Sequence, residues 1–162
     1  MELRPLLSSL RLPPTAWLEP FDALTPHRLH ALMALRQKVF AVEQSCAYLD
    51  ADPWDLEALH LGFGTPPDLT ACARIFLPTP DDPSACFGRV VTHPEHRKLG
   101  LGKQLVQTCL EVIDTLAPGV PTFIEAQAYL ERFYQGFGFT TFGEPFLEDG
   151  IPHLHMERAP RR

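Results

Sequence analysis

Along the chain the apolar residues change period several times, and each change marks an element. In "LTPHRLHALMALRQKVFAVEQ" the positions Leu29, Leu32, Met33, Arg36, Val39 and Phe40 recur at three- and four-residue spacing, with Leu35 nearby. That period predicts a helix over about 26–41. Thr25 is its N-cap and Pro26 suits its first position. The acidic "LDADPWDLEA" follows as a loop or short helix. Two short apolar runs, "ALHLGFG" and "TACARIFL", flank "TPPD" and predict a β-hairpin. "PTPDDPSA" is rich in Pro and Asp and reads as a surface loop. "CFGRVVT" then reads as a strand. "LGKQLVQTCLEVIDTLA" reads as a helix with Leu101, Leu105, Thr108, Cys109, Val112 and Leu116 on one side. "PTFIEAQA" is a further strand, "YLERFYQGFGF" a short helix closed by glycines, and "IPHLHMER" a last strand.

The predicted order is helix, hairpin, strand, helix, strand, helix, strand. A strand–helix–strand unit over 86–127 implies a parallel pair joined by a right-handed crossover. The hairpin implies that the rest of the sheet is antiparallel. The fold class is therefore α+β, or mixed α/β. At 162 residues, with no internal repeat or low-complexity linker, the chain is expected to form a single domain over 1–162.

Composition narrows the function. A formal net charge of -6 argues against a general nucleic-acid binder, yet leaves room for a local basic pocket. The N-terminal "MELRPLLSSLRLPP" is too short and too interrupted for a signal peptide or membrane span. No membrane role and a cytoplasmic location are expected. Cys46, Cys72, Cys86 and Cys109 lack CxxC spacing, and three lie in apolar runs, so they read as unpaired thiols packed as small hydrophobes.

The stretch "HPEHRKLGLGKQL" at 93–105 carries the chemistry. A strand running through a glycine turn into a helix leaves unpaired N–H groups at the helix N-terminus, where the dipole favours an anion. Gly100 and Gly102 permit close approach, and Arg97, Lys98 and Lys103 add positive charge. Taken alone, the loop is either a phosphate cradle or a tight turn with solvated basic residues. A Walker loop is excluded because Gln104 follows Lys103 and the upstream glycine is missing. A dinucleotide fingerprint is excluded because Leu105 stands where a third glycine is needed. Asp50, Asp52 and Asp55 with His60 suggest a cation loop, but the glycine and terminal Glu of such a loop are absent, and a solvated acidic loop is expected instead. His153 and His155 are read as facing opposite sides of their strand and so not as a zinc pair. No metal site is expected.

"RVVTHPEHRKLGLGKQL" resembles the acetyl-CoA loop of the GNAT superfamily of N-acetyltransferases, Arg/Gln-x-x-Gly-x-Gly/Ala after a central strand. Here it reads Arg97-Lys98-Leu99-Gly100-Leu101-Gly102. "QAYLERFYQGFGF" is similar to the second motif of that superfamily, with Phe133-Tyr134 and, four residues after the tyrosine, Gly138-Phe139. "LRQKVFAVEQSCAYLDADPWD" and "EDGIPHLHMER" resemble blocks of its ElaA branch. The likeness spans about 21–158 and leaves residues 1–15 outside as a loose extension.

The resemblance implies a GNAT-like fold: a mostly antiparallel sheet with one splayed parallel pair and flanking helices. It implies acetyl-CoA as co-substrate, with the pantetheine arm on the backbone of Val90, Val91 and Thr92. The pyrophosphate falls on the amides from Arg97 through Lys98, Leu99, Gly100, Leu101 and Gly102 to Lys103. Gln127 stands where many relatives carry an Asn that touches the cofactor. Tyr134 matches the general acid. No motif marks a general base; His153 and Glu43 are the candidates, with Glu125 a weaker third. The implied activity is acetyl transfer to a primary amine, on a small molecule, peptide or protein, by direct attack in a ternary complex. The acidic loop is expected at the mouth of the acceptor site. A non-catalytic CoA-binding or protein-interaction module on the same fold is the alternative. The protein is expected to act as a monomer or homodimer.

Overall fold

A computed structural model describes residues 3–161. A short helix α1 (Leu3–Leu7) precedes β1 (Ala16–Pro20). Helix α2 (Pro26–Arg36) follows and continues as a π-helical turn over Gln37–Glu43. The hairpin β2 (Leu59–Thr65) and β3 (Asp68–Phe76) leads to β4 (Ala85–Thr92), α3 (Leu101–Leu116) and β5 (Thr122–Gln127). Helix α4 (Glu131–Gln135), β6 (Thr140–Glu148) and β7 (Ile151–Arg158) complete the chain.

Seven strands form one sheet in the order β1-β2-β3-β4-β5-β7-β6, and every neighbouring pair but β4–β5 is antiparallel. Thr25 caps α2 as expected, its hydroxyl accepting from the Arg28 amide at 3.2 Å. The helix then departs from plain α geometry: the Gln44 amide donates to the Val39 carbonyl five residues back, at 3.0 Å. Leu105, Val106, Cys109, Val112 and Ile113 of α3 are wholly or almost wholly buried against one face of the sheet. On the other face Ala31, Leu32, Leu35 and Val39 pack on Trp17, Leu69, Cys72 and Val91.

Two strands are absent from the sequence-based order, β1 and β6, and both are sheet edges. An edge strand has one bonded neighbour and tolerates proline, so its pattern is faint. β1 ends in Pro20, and β6 is interrupted by Gly143 and Pro145 where its register to β7 shifts. His153 and His155 correct a second expectation. Residues two apart share a face of a pleated strand, and both rings pack against Phe146.

Gly62 lies under the indole of Trp17, where a Cβ would stand 2.2 Å from a ring carbon. Gly62→Ala is expected to displace that ring from the α2 core and to cost about 1–3 kcal/mol, read as a lower denaturant midpoint at unchanged slope.

Candidate active site

The central cleft starts from a strand that bends. Along β3 and β4, Cys72 pairs with Val91 and Arg74 with Gly88, so Arg89 and Val90 both stand opposite Ala73. This bulge bends and twists β4. The parallel ladder to β5 holds only Ala85–Thr122 and Cys86–Phe123, and beyond it the two strands separate. A cleft of about 1710 Å³ opens there.

Arg89 adopts a φ of 50°, a costly conformation for a residue with a side chain. Its guanidinium explains how the bulge is held. Arg89 Nε stands 2.9 Å from Asp50 Oδ1, and Nη2 donates to the Asp50 carbonyl at 3.2 Å. Asp50 in turn accepts from Arg36 Nε at 2.7 Å and from the Tyr48 hydroxyl at 3.2 Å. Arg36 Nη1 reaches Asp55 at 2.6 Å, and Arg74 spans Asp55 at 2.9 Å and Asp52 at 2.6 Å. His60 lies 2.8 Å from the Asp55 carbonyl.

Three arginines and three aspartates thus close a charge-balanced network between α2, β3, β4 and the loop 48–57. This overturns the solvated acidic loop: Asp50 and Asp55 are buried at 6% and 3% exposure. Carboxylates in that position cannot stay charged without cationic partners, and the arginines supply them. Two of those arginines sit at positions that read as apolar, Arg36 on the α2 stripe and Arg74 between Cys72 and Phe76 on one face of β3. A charge at such a position is the sequence signal for a buried partner.

At the C-terminal end of β4, the loop into α3 places Lys98 and Gly100 at left-handed φ of 68° and 75°. A Cβ on Gly102 would meet only Thr92 Oγ1, at 3.6 Å, and one on Gly100 would meet nothing within 4 Å. The α3 N-terminus is therefore open for close approach, and Arg97, Lys98, Gly100, Leu101 and Lys103 line the cleft around it. Leu99 does not; its side chain is 70% exposed. Val90, Val91 and Thr92 line the cleft along β4. Gln127 faces them from β5, its amide donating to Gln44 across the opening at 3.4 Å.

Tyr134 enters from α4, buried among Phe87, Phe133 and Phe139 yet lining the cleft. Burial pushes its phenol well above the ordinary value, so it stays protonated at neutral pH. His153 and Glu43 line the same cleft. His153 Nδ1 bonds to the Ile151 carbonyl at 2.7 Å, and Glu148 stands 3.5 Å from Nε2. Glu43 is tied to Arg97 at 2.7 Å. Glu125 is solvent-facing, 3.7 Å from His155 Nδ1. Cys86, read as a core residue, is half buried and lines the cleft, and burial holds its thiol up at about 11. Among the described residues no three His, Cys, Asp or Glu side chains are grouped to hold a metal, and no helix is long and apolar enough to cross a membrane.

This arrangement is the one expected of a GNAT acyltransferase, and residues 81–159 match the acetyltransferase (GNAT) domain family. A UPF0039 protein of Synechocystis sp. is 41% identical over 138 residues, covering 84% of this chain and 89% of the relative. Protein ElaA of Escherichia coli is 39% identical over 137 residues, covering 83% and 90%. The crystal structure of that ElaA superposes with a TM-score of 0.81, covering 88% of this chain and 97% of the other. An acyl-CoA N-acyltransferase from Pseudomonas aeruginosa, 36% identical, superposes at 0.84, covering 89% and 98%. The chain belongs to the ElaA family of GNAT proteins.

Asp55 provides a test of the network. Burial alone would raise its carboxyl; hydrogen bonds and charge from Arg36, with help from Arg74, prevail and hold it at about 2. Asp52 is also lowered, chiefly by its bond to Arg74. Both groups are depressed in the folded state, so their stabilisation is complete above the unfolded value near ~4 and is lost as pH falls toward ~2. Denaturant titrations from pH 6 downward are expected to show constant stability, then a steady fall below about 4. Asp55→Ala, which takes one carboxylate partner each from the buried Arg36 and Arg74, is expected to cost about 3–5 kcal/mol at neutral pH.

Proposed function

We propose that the protein is an acetyl-CoA-dependent N-acetyltransferase that moves an acetyl group to a primary amine by direct attack in a ternary complex. The observation that carries this reading is the meeting, in one cleft, of the splayed β4, the open α3 N-terminus and the protonated Tyr134.

Acetyl-CoA supplies the thioester whose carbonyl carbon the amine attacks. The residues fit such a co-substrate. Beyond Cys86 the β5-facing backbone groups of β4 have no strand partner, so Val90, Val91 and Thr92 can bond the pantetheine amides. The N–H groups of the first turn of α3, with Arg97, Lys98 and Lys103, suit the pyrophosphate. Gln127 closes the far wall. As the carbon–sulfur bond breaks, the Tyr134 hydroxyl gives its proton to the departing sulfur.

His153 is the better placed base. A carbonyl oxygen only accepts, so Nδ1 carries a proton, and Nε2 at the cleft is the ring atom available to take another. His153 Nε2 takes the proton that the attacking amine loses. Glu43, bound to Arg97, orients the phosphate end. Cys86 holds its proton too firmly at neutral pH to form an acetyl-cysteine.

Tyr134→Phe is expected to lower kcat by about 100-fold while the CoA dissociation constant, measured by calorimetry, stays unchanged; undiminished turnover removes the phenol from the mechanism. Initial-rate plots with both substrates varied are expected to intersect, and parallel lines would indicate a covalent intermediate instead.

A further inference from the structure

One face of the sheet is unequally covered. α2 packs over the β1–β4 half. On β5, β7 and β6 the register sets Glu125 beside His155, Gln127 beside His153, Phe142 beside His155 and Phe146 beside His153, all on that same face. The opposite side chains, Ile124, Ala126, Leu154 and Met156, belong to the α3 core. The uncovered half is therefore a floor of stacked rings: His155 lies between Phe146 at 4.4 Å and Phe142 at 5.7 Å.

Gly88 adjoins this floor on β4. A Cβ there would meet nothing within 4 Å, so a central strand position leaves open space at the bulge. His153, buried to 8% exposure, borders the same space, and its Nε2 makes no hydrogen bond among the described residues.

Charge then selects the occupant. Asp50, Asp52 and Asp55 are matched by three arginines and present little net charge. Glu125 and Glu148 flank the ring floor and face only His155 and His153; among the described residues neither pairs with Lys or Arg. The attacking nitrogen must be neutral to have a lone pair, so these carboxylates are not needed to hold it. They suit a second cation on the same molecule.

Resting on the acetyltransferase reading, we propose that the acceptor is a primary amine carrying a second positive charge. It lies over Gly88, with the distal cation held by Glu125 and Glu148 against the Phe142–His155–Phe146 stack.

The test compares three acceptors of equal length: 1,4-diaminobutane, n-butylamine and 4-aminobutyrate. Calorimetry on CoA-saturated protein measures binding, and thiol release measures transfer. The diamine is expected to bind about tenfold tighter than the monoamine, and the amino acid more weakly than either. Glu125→Gln is expected to raise the KM of the diamine roughly fivefold and to leave that of butylamine unchanged; Glu111→Gln on the far face of α3 should change neither. Gly88→Val should weaken all three amines without changing CoA affinity. A diamine bound no better than butylamine, or a Glu125→Gln effect equal on both, overturns the proposal. Preferential diamine binding without thiol release from any amine supports the charge selection and overturns the acetyltransferase reading instead.

Discussion

The buried network of Arg36, Arg74 and Arg89 with Asp50, Asp52 and Asp55 is the interaction on which the rest of the molecule depends. Its energetic value lies less in net stability than in specificity. Four of the six charges, Arg36, Arg74, Asp50 and Asp55, are buried, which costs several kcal/mol each unless their partners are in place. The arrangement of α2, β3, β4 and the 48–57 loop that pairs these charges turns the Arg89 side chain toward the loop while its backbone carries the bulge. A bulge held by a charge pair bends β4 away from β5. The cleft is thus the mechanical consequence of an electrostatic constraint.

The same network sets the polarity of the cleft. Because it neutralises the aspartates internally, the field along the opening is set by other residues: Arg97, Lys98 and Lys103 at the α3 end, Glu125 and Glu148 over the ring floor. Basic residues beside a helix N-terminus reinforce one another for an anion. At the opposite end the carboxylates face only imidazoles. One cleft therefore presents two electrostatic surfaces of opposite sign. The Glu43–Arg97 pair and the Gln44–Gln127 bond span it from the end of the π-helical turn. That turn projects two successive polar side chains over the opening.

Much of the fold was legible because its interior elements carry strong periods. Thr25-Pro26 marked the start of α2, the two runs around "TPPD" marked the hairpin, and the apolar face of α3 marked the crossover that makes β4 and β5 parallel. The edge strands β1 and β6 were not, since proline and glycine interrupt them and one neighbour suffices to hold each. In the cleft, the loop from Arg97 to Lys103 was legible because backbone access requires glycine at particular spacing. The ring floor was not: Phe142 and Phe146 lie on a strand whose pattern is broken, and they meet the histidines only across a bulged register.

What the sequence determined alone is local chemistry: which segments are helical, where glycines leave a helix N-terminus open, and which tyrosine the second motif contains. These depend on neighbours within a few residues. What only the tertiary structure decided is the state of charge. Three aspartates close together in the chain read as an acidic patch until arginines from α2, β3 and β4 are brought to them. Whether a carboxylate is a solvated surface group or half of a buried pair depends on groups tens of residues away, because Coulomb energy follows distance in space and exclusion of water.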